Sequence, residues 1–384
     1  MKDLNCQLLF SLSDERSRYR ENFIENRVVY ENDPSLKTDC DSIRSRGYFQ
    51  ERALTSEEED FPIAFAKIVY KEYYLLESQL RVEYAPQNFY CYLIDSKADE
   101  LFKKQLRNLG KCFDNIFVLD EEVDIKNDGH NMTIAHLTCL KHLRSHSWKY
   151  VVLLQNDDMR LRTNAEMVQI FKTFNGTNDI SASNAGYHTY HPEANWTLAA
   201  IDLFKDKKLN TLQSLRVMKS MVEISISRAA VDYVFDELNF HSLIRKLELK
   251  EFGVDETFWA TLNTNDIVNL PGGFTTKFIE QKIRNYMVTR YTVWQMNKKP
   301  YVPCLTNYFR NFICIFGVED LPNLTTLHSM YINKLLPEFD FAATTCLLEH
   351  VYNNTYFPAE NYSFNVEPYA QLRHVKLHNE KMNV

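Results

Sequence analysis

Asp255 and Glu256 stand side by side in the stretch Phe252-Gly253-Val254-Asp255-Glu256-Thr257-Phe258-Trp259 and lead into an aromatic, helix-compatible run. A carboxylate at the mouth of a helix is held by backbone N–H groups and can be aimed into a cleft. That arrangement suits a general base, which takes the proton from an attacking hydroxyl. The same pair also serves as a plain helix cap, because acidic residues are favoured there electrostatically. Two further acidic positions follow apolar runs: Asp95 closes Phe89 to Asp95 (FYCYLID), and Asn156-Asp157-Asp158 follows Tyr150 to Leu154.

The elements that must carry these residues are legible from pattern. Ile63 to Val69, Phe89 to Asp95, Asn115 to Leu119 and Tyr150 to Leu154 read as strands rich in aromatic and β-favouring residues. Between and after them, 71–84, 97–109 and 131–145 read as helices, and Thr163 or Asn164 can cap another that runs to about Phe174. Val222 to Ile226 reads as a strand, 228–238 and 256–263 as helices, 283–297 as a basic, aromatic segment and 337–350 as an amphipathic helix. Strands alternating with helices predict an α/β fold, a mainly parallel sheet with helices on both faces. Ligands of such sheets bind beyond the carboxyl ends of the strands, where Asp95 and Asp157 fall. Residues 1–58 are polar, with few sustained periodic segments. They read as a stem or wrapping segment ahead of a main domain at 59–384.

Composition narrows the function. A formal charge of −7 and the lack of a long basic-aromatic run argue against a nucleic-acid binder. Only nine glycines in 384 residues disfavour Gly-rich phosphate loops. The eight cysteines contain no CxxC pair, so a zinc ribbon or thioredoxin-like site is not expected. Their even, wide spacing fits disulfides in an oxidising compartment; the alternative is reduced, buried thiols in the cytosol. Six N-x-S/T sequons, at Asn131, Asn175, Asn195, Asn323, Asn353 and Asn361, favour the secretory route. The N-terminal MKDLNCQLLFSLSDERSRYR shows neither signal peptide nor membrane span. On the residues alone, either an anchor-bearing segment lies outside this sequence or the protein is cytosolic.

FPIAFAKIVYKEYYLLESQLRVEYAPQNFYCYLIDSKADELFKKQL, residues 61–106, resembles the start of the core-2/I-branching β-1,6-N-acetylglucosaminyltransferase family. The resemblance continues in LGKCFDNIFVLD, WKYVVLLQNDD, LRTNAEMV, VDETFWATL, CIFGVEDL and NKLLPEFDFAATTCLLEH. It covers roughly 35–350 and is poor between about 180 and 215. The family includes peptide O-xylosyltransferases, so membership does not fix the donor sugar. It implies a GT-A-like, disulfide-bonded fold and a Golgi protein held by a membrane anchor. It also implies metal-independent transfer from a UDP-sugar with inversion, to an acceptor glycan or glycoprotein.

By this resemblance Glu256 is the catalytic base, and Asp255 caps or orients. Lys334 matches one of two basic residues that neutralise the leaving diphosphate. Arg310 stands near the other, four residues before Cys314 where the usual spacing is three. Asp95 is a nucleoside contact and Trp294 an acceptor-site aromatic. Met296 replaces a usual aromatic, and Ser220-Met221 a usual Gly-Ser. The implied disulfides are Cys6–Cys346, Cys40–Cys112, Cys91–Cys139 and Cys304–Cys314. Asn156-Asp157-Asp158 lacks the D-x-D spacing of metal-dependent enzymes, so no metal or other cofactor is expected. The bland alternatives are a turn-forming Asp95, a core Trp294, and solvated surface charges at Arg310 and Lys334. Two other functions stay open: transfer from another UDP-sugar such as UDP-xylose, and a catalytically silent lumenal protein that binds glycans or partners.

Overall fold

The computed structural model describes residues 4–11, 14–281 and 286–382. Four parallel strands form its centre: β1 (Ile63–Val69), β2 (Phe89–Asp95), β3 (Ile116–Val123) and β4 (Tyr150–Gln155). The order is β3-β2-β1-β4, and the short strand Ser225–Ser227 lies antiparallel on β4. All seven residues of β1 are buried, as a parallel strand covered on both faces requires.

Side-chain alternation divides the core. Ala64, Ala66, Cys91, Leu93, Val151 and Leu153 face one cluster, with the helix Met132–Leu143 and the segments around Trp196, Val234 and Phe258. Ile63, Phe65, Tyr90, Tyr92, Tyr150 and Val152 face the other, with the helices Tyr73–Glu83, Glu100–Gly110 and Asn164–Phe174. Thr163 closes a capping box with Glu166 at the start of the last of these. The α/β class expected from the alternation is the one observed.

A second small sheet places Tyr331–Asn333 between Met159–Arg160 and Arg290–Thr292. It joins a third core with Cys6, Leu9, Phe316 and Leu347. Residues ahead of β1 carry the helices Cys6–Leu9, Asp14–Glu25, Cys40–Ser45 and Ser56–Glu59. Arg27 meets Glu319 and Asp340, so this segment lies against the far end of the chain. The cysteines form the four implied bonds, Cys6–Cys346, Cys40–Cys112, Cys91–Cys139 and Cys304–Cys314. No helix among the described residues is long and apolar enough to cross a membrane.

Several boundaries differ from the pattern. β3 runs on to Val123, because the edge of the sheet accommodates charge and Lys103 and Arg107 meet Glu122. The helix expected over 337–350 spans Phe341–Tyr356, started by Asp340, whose side chain accepts from Ala343 N–H. The strand expected at 222–226 shrinks to Ser225–Ser227. Of the 283–297 segment, the first three residues lie outside the described ones, and Arg290–Thr292 is a strand.

Candidate active site

Strand order locates the site. The chain leaves β1 towards β2 on one side and returns to β4 on the other, which opens a crevice beyond the carboxyl ends of β1 and β4. Asn156 bridges these ends, its Oδ1 accepting from Tyr70 N (3.0 Å) and Lys71 N (3.2 Å).

A group of cations gathers beside this bridge. Lys71 Nζ lies 2.8 Å from Glu338 Oε1 and 4.0 Å from Asp157 Oδ1. Arg310 Nη1 lies 3.2 Å from the same Glu338 oxygen. Lys334 is half-buried nearby. Burial holds its ammonium below the usual lysine range; Arg310, Lys71 and Arg290 push the same way, against Asp157. For Lys71, burial also lowers, but Asp157 and Glu338 outweigh it and the net shift is upward. Lys71, Arg310 and Lys334 thus share one cluster with the carboxylates Asp157, Glu338 and Glu72, so three cations able to meet an anion lie together.

Backbone pairing ties Trp294 to this group. Cys314 N donates to Val293 O, Gln295 N to Phe312 O and Phe316 N to Lys334 O. The Cys304–Cys314 disulfide anchors the hairpin that carries Arg310. Trp294 is half-buried, and Met296 beside it is 72% exposed.

Beneath the cations lies a buried ion triad. Arg290 Nη1 is 2.7 Å from Glu223 Oε1 and 3.2 Å from Asp158 Oδ1. Asp158 Oδ1 also accepts from Asn333 Nδ2 (3.0 Å), and Oδ2 accepts from Gln155 N (2.6 Å). Burial drives Glu223 towards its neutral form, and Arg290 opposes this. Replacing the cation would leave uncompensated charge in the interior. Arg290→Met should therefore cost about 3–5 kcal/mol of stability. Urea denaturation measures this; a loss below about 1 kcal/mol, the range of an exposed pair, would contradict it.

The turn that carries Glu256 is linked to the cation group through Glu223 and Arg290. The helix there is Phe258–Thr264, two residues later than the sequence pattern suggests. Thr257 closes a turn on Val254 O through both N–H and Oγ1, so Asp255 and Glu256 lie in that turn, ahead of the helix. The Glu256 carboxylate consequently meets Lys219 Nζ, 2.5 Å from Oε2, and is not held by the helix N–H groups as first expected. Gly253 (φ +66°) donates its N–H to Asp128 O at 2.7 Å. Gly129 (φ +99°) lies so close to Asp255 that a Cβ there would meet Oδ1 at 2.2 Å. Burial, then the charge of Glu256, pushes Asp255 up to about 7. Burial thus holds Asp255 towards its protonated form. Asp255 also acts on Glu223, which links this turn to the Arg290 triad.

Asp95 lies on the β2 side of the crevice. Its Oδ1 accepts from Lys97 N at 3.0 Å, and Lys97 Nζ is 3.0 Å from Oδ2. Lys97 also pairs with Asp124 at 3.1 Å. These contacts are those of a turn-forming aspartate. Lys71, Lys219, Arg290 and Glu338 were not singled out from sequence. Only Lys71 carries a signal, as it stands two residues past the end of β1.

Among the sequons, Asn175, Asn195, Asn353 and Asn361 are exposed. Asn131 and Asn323 are half-buried, and Asn131 Nδ2 already donates to Asp124 O. Among the described residues no group of three His, Cys, Asp or Glu side chains is placed to hold a metal ion.

Residues 63–325 match the Core-2/I-Branching enzyme family. A bovine herpesvirus 4 protein named beta-1,3-galactosyl-O-glycosyl-glycoprotein beta-1,6-N-acetylglucosaminyltransferase is 30% identical over 339 residues, 85% of this chain and 76% of that one. The rat and human proteins of that name with the suffix 3 are 27% and 28% identical, over 90% and 88% of this chain and 79% and 77% of theirs. With the parallel sheet and the four disulfides, these matches lead to one conclusion: the chain belongs to the Core-2/I-Branching enzyme family and is a glycosyltransferase.

Proposed function

We propose that this glycosyltransferase moves N-acetylglucosamine from UDP-GlcNAc to a hydroxyl of an acceptor glycan, forming a β-1,6 branch with inversion and without a metal. The observation that carries this reading is the gathering of Lys71, Arg310 and Lys334 beyond the strand ends, with the turn of Asp255 and Glu256 linked to them through Glu223 and Arg290. In the reaction the acceptor oxygen attacks the anomeric carbon as its proton passes to Glu256. The bond from that carbon to the diphosphate breaks, and Arg310 and Lys334 neutralise the charge that grows on UDP. Attack opposite the leaving group turns the α-linked donor into a β-linked product. Asp95, at the end of β2, contacts the nucleoside as a hydrogen-bond acceptor. Trp294 offers the acceptor sugar a ring face.

The engagement of the acidic run supports the metal-free reading. Both oxygens of Asp158 accept internal hydrogen bonds, and Asp157 faces Lys71 and Lys334. The disulfides and exposed sequons support a lumenal, Golgi location with glycoprotein acceptors. UDP release should be seen with UDP-GlcNAc and a β-1,3-galactosyl-O-glycoside, and should survive EDTA. Loss of activity on chelation with recovery on Mn²⁺ would overturn the metal-free reading. Release from UDP-xylose alone would replace the donor.

A further inference from the structure

We propose that Lys219 is a positioning residue for the base: its ammonium pins Oε2 of Glu256 and leaves Oε1 as the oxygen that takes the acceptor proton. The inference rests on the assignment of Glu256 as base and deepens it.

Three observations carry it. First, Lys219 Nζ lies 2.5 Å from Glu256 Oε2. That oxygen is shut off from solvent and takes no hydrogen bond, so the ion pair with Lys219 is what balances it. A buried carboxylate oxygen left alone is costly, so without the ammonium the group would turn away. Second, the backbone holds the two residues in register. Ser220 N donates to Glu256 O at 2.8 Å, and Met218 N donates to Thr261 Oγ1 at 3.0 Å. Lys219 lies between these two anchors, in a short ladder with Ser183–Asn184. Third, Gly253 leaves room for the pair. A Cβ at that left-handed position would stand 3.0 Å from Oε2 and 3.9 Å from Lys219 Nζ.

The neighbouring charges make this role specific. Asp255 lies beside Glu256, and Glu223 lies beyond it with Arg290. Lys219 is the cation paired with Glu256 on a side otherwise lined by carboxyls. Its side chain is about a third exposed, so the pair stands at the surface of the crevice where an acceptor arrives.

The test compares Lys219→Met, Lys219→Gln and Lys219→Arg with the intact chain. UDP release is read with UDP-GlcNAc and a β-1,3-galactosyl-O-glycoside, and UDP affinity by calorimetry. The Met and Gln variants should lose kcat about 10- to 100-fold, the scale of a misplaced catalytic group. KM for UDP-GlcNAc and affinity for UDP should stay unchanged, and Arg should restore most of the loss. Combining Lys219→Met with Glu256→Gln should be no worse than Glu256→Gln alone, since both act through one carboxylate. Wild-type kcat in the Met and Gln variants, or losses that multiply in the double variant, would overturn the proposal. Near-normal turnover by Glu256→Gln alone would instead overturn the assignment of the base.

Discussion

Glu256→Gln should lower kcat by roughly 10²- to 10⁴-fold, the range a general base supplies. Gln keeps the shape of the side chain but cannot take the proton. UDP affinity should therefore stay within about twofold, because the loss falls on the transition state alone. Asp255→Asn is the informative control. Asp255 is held towards its protonated form, pushed up to about 7 by burial and by the charge of Glu256. Replacing it with a neutral amide should cost far less than replacing Glu256. Equal losses in the two variants would mean that the pair acts as a unit, and the division of roles proposed for it would fail.

Lys334→Ala should weaken UDP and UDP-GlcNAc and slow transfer by about 10²- to 10³-fold, as loss of a preorganised charge at a developing anion does. The structure gives the reason. Burial and the neighbouring Arg310, Lys71 and Arg290 already disfavour the Lys334 ammonium, and a diphosphate relieves that repulsion. Binding of UDP should thus favour the protonated lysine, and affinity should fall as pH rises through the lowered range. Calorimetry of UDP against wild type and variant decides this. Unchanged affinity would remove Lys334 from the donor site and make it a structural lysine of the small sheet.

The parts of this architecture that were readable in sequence are those with dense local signals. Every residue of β1 is buried, and β2 and β4 are apolar almost throughout, so their runs stood out from the helices between them. Asp95 and Asp157 could be placed at strand ends for the same reason. The small sheet was not legible, since Met159–Arg160 and Tyr331–Asn333 are too short to show a period. Nor was the ion triad, because Asp158, Glu223 and Arg290 are far apart in the chain and meet only through the fold. Lys219 escaped notice likewise: a lone lysine gives no hint of a carboxylate that a turn brings to it. The helix before which Glu256 sits starts two residues later than the pattern predicts. A propensity pattern does not register a turn closed by Thr257 on Val254. The disulfide pairs came from family resemblance, since spacing alone leaves the pairing of eight cysteines open.

The account turns on a crevice that holds UDP on its cations and activates an acceptor hydroxyl with Glu256. Its most direct test is the structure of the product. The purified, disulfide-bonded chain is incubated with UDP-GlcNAc and a β-1,3-galactosyl-O-glycoside in EDTA, and the product is read by NMR. The account predicts an N-acetylglucosamine joined through a β anomeric bond to a primary 6-hydroxyl, absent with Glu256→Gln. An α anomeric bond, or the same product from the Glu256→Gln chain, would contradict it.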